Sequence, residues 1–349
     1  MRLVFVYWPF EDQGSGNIIQ GYSEAARTLG HEVTVYGIPY DKIPLDYTLD
    51  LASADAVVFL LEWTADLYYG DHLDLTRLLG AVPRRRRLVI DGDGKYNDLL
   101  RVGDDFNHAD AEASRRWTDI CDSLSDKICQ PTLCPVRPNV RPFLFYAYNP
   151  AWEVPLDFSA KEFDLLYVGH SKFRWQPMMR VLKALEPIRD RLGRVGLVGR
   201  GWDAPPEWAS TMEIEEHYAS DPAYLKALDV EVLPSVPFGK VISTMSRSVA
   251  NIVVTRPTFS HLRLVTPRLF ETPAATIPLF SLDPDHARDI FGEAALELVL
   301  PEHDPEEKLL DIIGRPRYYA DVTQSLRQHL AAHHSHAARL RELLAIVEA

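Results

Sequence analysis

The feature that most constrains this chain is an alternation. Short, nearly unbroken apolar runs are each followed by a stretch with apolar residues at helical spacing. Leu3, Val4, Phe5, Val6 and Tyr7 form the first run. After a loop over 9–16, Ile18, Ile19, Tyr22, Ala25, Ala26 and Leu29 recur with helical period as far as Gly30, a residue suited to ending a helix. Runs at 33–36, 56–61 and 88–91 predict further strands, with a helix over 73–79 and a short strand over 127–129. The alternation restarts at 163. Strands over 163–168, 195–198, 230–233, 252–254 and 277–280 are separated by helices over 176–185, 223–228, 241–249 and 267–275, and a single last helix is predicted over 322–347. Strands that are apolar throughout belong in parallel sheets covered on both faces.

Between 132 and 158 the pattern breaks. Pro135, Pro138, Pro142, Pro150 and Pro155 fall there, and proline disfavours helix at its own and the preceding position, so this stretch reads as an extended connector between two doubly wound α/β domains. A chain of 349 residues suits two domains. Its 46% apolar and 25% charged residues are those of an ordinary globular protein. The balance of 37 Lys and Arg against 50 Asp and Glu, 37 − 50 = −13, argues against nucleic acid as a partner, because backbone binding draws on cations to release counterions. Cys121, Cys129 and Cys134 form neither a disulfide framework nor a zinc pattern, which suits a reducing cytosol. No run is long enough for a membrane span, and the first residues do not read as a signal peptide.

Ligands of doubly wound sheets bind beyond the carboxyl ends of the strands, so the candidate residues are sought there. After the first strand come Gly14, Ser15, Gly16 and Asn17, a turn that brings backbone N–H groups and a helix N-terminus toward an anion; the alternative is a plain loop with Ser15 or Asn17 as helix cap. Asp91 and Asp93 follow the 88–91 run and suit hydroxyl binding or proton abstraction, a plain acidic turn being the alternative, with His108 a weaker candidate downstream. The strand at 163–168 runs into Gly169, His170, Ser171, Lys172 and Arg174, where Lys172 and Arg174 could neutralise a diphosphate leaving group or be solvated surface cations. Gly199, Arg200 and Gly201 repeat the theme, and Trp202 is either a stacking platform or core. Thr266 and Pro267 suit the start of a helix. Arg268 then lies in its first turn, where a cation is disfavoured unless an anion is held there too, and Glu271 stands one turn on. The alternative is an Arg268–Glu271 surface pair.

This last stretch resembles the group 1 glycosyltransferases, especially their spore-maturation-like branch: Arg268, Phe270-Glu271, Ala274-Ala275 and the strand 277–280 match it, as do Asn251 and Arg256 around the preceding strand and Gly30-His31-Glu32-Val33 near the start. The resemblance implies a GT-B fold of two Rossmann-like domains facing a cleft. Residues 1–150 would hold the acceptor, 151–325 the nucleotide sugar, and 326–349 would form a helix crossing back to the first domain. It further implies metal-independent, retaining transfer from a nucleoside-diphosphate sugar, with no cofactor. Glu271 would hold the ribose, and Lys172 and Arg174 the diphosphate. Many relatives carry a second glutamate eight residues earlier, against the sugar; here that position is Arg263. A sugar-nucleotide epimerase and a non-catalytic sugar-nucleotide-binding protein are the alternatives on the same fold.

Two further signals read as structural. The run Arg84, Arg85, Arg86, Arg87 suits a surface connection, and His329, His333, His334 and His336 suit a polar helix face.

Overall fold

The structure, a computed structural model, describes residues 1–7, 14–39, 44–62, 80–108 and 110–349. The loop expected over 9–16 lies partly, and the helix expected over 73–79 wholly, outside these residues. In the first domain β1 (Arg2–Val6) leads to α1 (Gly14–Leu29), β2 (Glu32–Tyr36), β3 (Tyr47–Thr48), β4 (Ala56–Leu61) and β5 (Arg87–Asp91). A hairpin of β6 (Arg101–Val102) and β7 (Asp105–Phe106), helix α2 (Ala111–Leu124), β8 (Ile128–Gln130) and β9 (Val140–Pro142) complete it. The strands form one sheet in the order β3-β2-β1-β4-β5-β8-β9, every pairing parallel. Leu3 pairs with Val33 on one side and Ala56 on the other, so the order reverses between β1 and β4. Burial on both faces explains why these strands carry apolar residues at every position: all of β4 is buried.

The second domain carries β10 (Phe163–Val168), α3 (Trp175–Leu185), β11 (Val195–Val198), β12 (Val230–Leu233), β13 (Ser248–Val253), α4 (Pro267–Ala275) and β14 (Ile277–Phe280). Its sheet, β12-β11-β10-β13-β14, is again wholly parallel and reverses between β10 and β13. Helices α5 (Pro284–Phe291), α6 (Pro305–Gly314), α7 (Pro316–His333) and α8 (His336–Glu348) follow. This is the doubly wound α/β architecture expected from the alternation.

Local chemistry sets the boundaries. Gly30, at φ +76°, ends α1: its N–H donates to Arg27 O and that of His31 to Ala26 O, the paired closure that a left-handed glycine permits. The helix expected over 241–249 stops at Met245, and the strand begins at Ser248, whose hydroxyl donates to Met245 O. The β-branched residues Val249, Ile252 and Val253 suit a strand, and short apolar runs do not distinguish the two. The last helix is two: Ser335 breaks it and caps α8 by accepting from Ala338 N.

The proline-rich connector is extended, as expected, but it is not a solvated tether. It adds β9 to the first sheet, and then Phe143, Leu144, Phe145, Tyr146, Ala147 and Tyr148 are all buried. Tyr22 of α1 donates to Phe145 O at 2.7 Å, and Tyr148 N donates to His334 O at 2.8 Å. One apolar cluster runs from beneath α1 through this segment into the second sheet. Helix α8 packs on α1, where the His336 ring occupies the space a side chain at Gly21 would need.

His334 and His336 are therefore buried at this crossing, not on a polar face, and burial pushes them down to about 3 and about 4. The arginine run is structural: Arg84 pairs with Asp126 at 2.8 Å, and Arg87 donates to Val82 O. Among the described residues the cysteines are free, no helix is long and apolar enough to cross a membrane, and no cluster of His, Cys, Asp or Glu could hold a metal ion.

Candidate active site

Both sheets present their carboxyl edges to one cleft. On the first-domain side, Gly14, Ser15, Gly16 and Asn17 lie in the first turn of α1 rather than in a loop before it. A Cβ on Gly14 would stand 3.0 Å from Pro267 Cγ of the opposite domain. Asn17 lines a cavity of about 220 Å³ together with Gln20, Glu24, Phe238, Val241 and Glu271.

The two aspartates part company. Asp91 is buried and accepts from Lys95 N (3.0 Å), Tyr96 N (2.8 Å) and Gln130 Nε2 (2.8 Å). Burial raises its pKa, which these bonds oppose. Asp91 thus ties the turn together and does not present its carboxylate to the cleft. Asp93 is freer: it is half-buried, its Oδ2 has no hydrogen-bond partner among the described residues, and its charge acts on Lys172 of the other domain. His108 is buried away from solvent.

Beside Asp93 stands a carboxylate the sequence reading missed. Glu62 directly follows β4 and accepts from the Ser15 hydroxyl. Burial raises it to about 7; Asp93 adds to the shift, and the Ser15 and Tyr146 hydroxyls oppose it. An acid closing an apolar strand was the available signal.

In the second domain, Gly169 opens the turn after β10, and its carbonyl accepts from Trp202 Nε1 at 2.8 Å. Gly199, at φ +146°, lies against that same carbonyl, where a Cβ would fall on it. Trp202 is fully buried and belongs to the core, not to a stacking platform. Ser171 is likewise buried, its N–H donating to Arg200 O at 2.9 Å, so it supports the turn from behind.

Lys172, Arg174 and His170 face the cleft. Arg174 Nη1 lies 3.0 Å from His170 Nδ1 and donates to Lys172 O at 3.1 Å. Desolvation, then the charges of Arg174, Arg256, Lys172 and Arg268, pushes His170 well below the usual imidazole range. Lys172 is lowered to about 8 by burial and then Arg256, while Asp93 acts in the opposite sense. The structure therefore brings Asp93 and Lys172, from opposite domains, within electrostatic reach.

Helix α4 begins where expected, but Thr266 makes no side-chain cap. At the other end Arg327 of α7 donates to Pro273 O (2.8 Å) and Ala274 O (2.8 Å), fixing the helix in place. Arg268 Nη1 stands 2.8 Å from Glu271 Oε2, and the Glu271 side chain is only 4% exposed, so this is no surface pair. Burial raises the Glu271 pKa, and Arg268 lowers it. Arg268 also lines a second cavity of about 170 Å³ with Gly169, His170, Gly199, Arg200 and Tyr218, and Phe238 and Val241 border both cavities. Trp208 and Tyr218, edge to face at 5.7 Å, are aromatic walls of this cavity that the sequence reading did not single out.

Arg263, at φ +50°, turns its guanidinium to Asp283 (3.3 Å) and Asp289 (3.9 Å). A clasp joins the domains nearby. Asp105 of the β6–β7 hairpin is 1% exposed; it takes Arg256 Nη2 at 2.7 Å and Thr258 N at 2.9 Å, while Phe106 packs on Phe173 and His217.

Residues 177–345 match the family described as Glycosyl transferase-like. No curated protein matches the chain in sequence. Among solved structures, an alpha-glucosyltransferase in complex with UDP-glucose and DNA containing an abasic site is similar at a TM-score of 0.65 and 11% identity, covering 100% of this chain and 99% of that one. T4 phage BGT in complex with its UDP-glucose substrate reaches 0.59 at 12% identity, with 100% of each chain covered. T4 phage BGT in complex with UDP and Mn2+ reaches 0.58 at 10% identity over the same span. The chain thus carries a glycosyl transferase-like segment over residues 177–345 and has the GT-B fold of these glucosyltransferase structures.

Proposed function

We propose that this protein transfers a sugar from a nucleoside diphosphate to a hydroxyl-bearing acceptor, with UDP-glucose, which the structural neighbours bind, as the first donor to test. The observation that carries the reading is the cleft itself: Lys172, Arg174 and Arg268 converge on one wall, the buried Glu271 stands beside them, and Asp93 faces them from the other domain. Glu271 accepts from the ribose hydroxyls. Lys172, Arg174 and Arg268, with the uncapped N-terminus of α4, stabilise the departing diphosphate. Gly169, His170 and the Gly199 turn wall the nucleoside cavity. Gly14, Gly16 and Asn17 border the acceptor side, and Asp93 orients the acceptor, held by a turn that Asp91 secures. In this reading these cations take the place of a metal ion, and the transfer retains configuration, as in the spore-maturation-like branch that residues 268–280 resemble.

The net charge of −13 weighs against a nucleic-acid acceptor, yet several alpha-glucosyltransferase neighbours were solved with DNA, one of them with a HMU base. DNA carrying that base therefore joins small alcohols and sugars in the acceptor panel. The decisive experiment is a thermal-shift titration with UDP and UDP-glucose, with and without EDTA, followed by UDP release across the panel. Binding should raise the melting temperature, because only the native state binds. Glu271→Ala should abolish that rise. An unaltered shift in the variant removes Glu271 from the site. Loss of turnover in EDTA defeats metal independence, an epimerised donor without acceptor defeats transfer, and binding without turnover on any acceptor marks a non-catalytic binder.

A further inference from the structure

Strand order in the first sheet reverses between β1 and β4, and a doubly wound sheet opens its crevice at such a reversal. The first turn of α1 and the end of β4 meet there. Ser15, in the first turn of α1, donates its hydroxyl to Glu62, the residue that closes β4. Tyr146, from the buried connector, hydrogen-bonds the same carboxyl, and Asp93 flanks it from the turn after β5. Gly92 lies beside it, where a Cβ would be at ordinary contact distance from Glu62 Cγ. Glu62 is only partly buried by its exposed area, so it is open to the cleft.

We infer that Glu62 is the proton acceptor for the hydroxyl that attacks the donor sugar, with Ser15 and Tyr146 as positioning residues. The inference rests on the glycosyl-transfer reading. In the step, the acceptor oxygen forms a bond to C1 of the sugar on the face that the diphosphate leaves, as retention requires. The bond from C1 to the diphosphate oxygen breaks, and its electron pair leaves with the nucleoside diphosphate. The acceptor proton passes to the Glu62 carboxylate and from there to solvent.

Four features favour Glu62 over its neighbours. Asp91 spends its oxygens on Lys95 N, Tyr96 N and Gln130. Asp93 stands within electrostatic reach of Lys172, which suits orienting an acceptor. The described groups acting on Glu62 are two hydroxyls and one carboxylate, none of them a cation. Its carboxyl is raised to about 7, and a base whose conjugate acid titrates near the working pH is best matched to proton abstraction.

The test compares wild type, Glu62→Gln, Glu62→Asp and Asp93→Asn, with UDP-glucose as donor and the best acceptor of the panel. Glu62→Gln should keep the UDP-induced thermal shift and lose about 10²- to 10⁴-fold in kcat. The wild-type rate should rise with pH through about 7, a limb that Glu62→Gln lacks and Glu62→Asp partly restores. Full activity and an unchanged pH profile in Glu62→Gln overturn the inference alone. So does loss of the limb in Asp93→Asn while Glu62→Gln remains active, which gives the proton to Asp93. A wild type that binds no UDP, or transfers to no acceptor, overturns the transferase reading itself and this inference with it.

Discussion

Replacing Asp105 with alanine tests the clasp that closes the cleft. Asp105 is 1% exposed and its partner Arg256 17%, so neither charge is well hydrated in the fold. Removing one member of such a pair costs about 3–5 kcal/mol, because the other is left buried and unpaired. Two effects refine that range in opposite directions. Arg256 keeps the faces of Phe173 (4.5 Å) and Phe259 (4.8 Å), and some water reaches it, which favours the lower end. It also stands among Lys172 and Arg174, whose repulsion Asp105 now offsets. A loss of about 3 kcal/mol is expected, roughly a hundredfold in the folding equilibrium. Urea unfolding of Asp105→Ala, Arg256→Met and the double variant measures it. The double variant should be more stable than Asp105→Ala, since no orphaned charge remains. A loss below about 1 kcal/mol, or a double variant no better than the single, refutes the view that these two residues hold the domains together.

Three other outcomes follow from the geometry. Gly199→Ala places a Cβ on the Gly169 carbonyl at φ +146°, so it should cost at least about 2 kcal/mol in thermal unfolding and weaken UDP binding. Lys172 is charged below about 8 and neutral above it, so UDP affinity measured by calorimetry should fall about tenfold from pH 7 to pH 9, and this slope should vanish in Lys172→Met. His336 is held neutral, its folded value of about 4 lying below an unfolded value near 6.5, so the unfolded chain takes up its proton first on acidification. Stability present above pH 6.5 should therefore be lost toward pH 4, by about 3 kcal/mol, and the fall in urea midpoint over that window should be smaller in His336→Gln.

The parallel strands were legible because burial on both faces leaves no choice of residue: residues 56–61, 163–168, 195–198, 230–233 and 277–280 read as strands and are strands. Where an apolar run is short and fits either period, as at 241–249, only tertiary pairing decides, and β13 took the end of the expected helix. The connector misled for another reason: proline reports backbone conformation, not burial, and residues 143–148 are both extended and core. The placement of Arg268 in the first turn of a helix with Glu271 one turn on was legible from the sequence; the burial of the pair was not. Asp91 and Asp93 were not separable, because which of two neighbouring acids closes a turn and which looks outward depends on donors supplied from afar, here Gln130. Ser171 and Trp202 fell to the interior for want of any local sign of how the 199–202 turn folds over them.

Arg263 bears on where a donor sugar finds its polar contacts. Its guanidinium is committed to Asp283 and Asp289. The residues on either side of it, Leu262 and Leu264, instead reach across the cleft: a Cβ on Gly94 would meet both their Cδ1 atoms at 2.8 Å. The segment whose counterpart in the resembled family offers a glutamate to the sugar is here an apolar seal against the first domain. If Lys172, Arg174 and Arg268 hold the diphosphate, the carboxylates left for the sugar, beyond Glu271 at the ribose, are Asp93 and Glu62 on the acceptor side. An apolar seal does not bond sugar hydroxyls, so discrimination between sugars would fall to those acids. Asp93→Asn should accordingly change the ratio of kcat/KM for UDP-glucose over UDP-galactose, and Arg263→Glu should not; an unchanged ratio in the first variant and a changed one in the second would return sugar choice to the second domain.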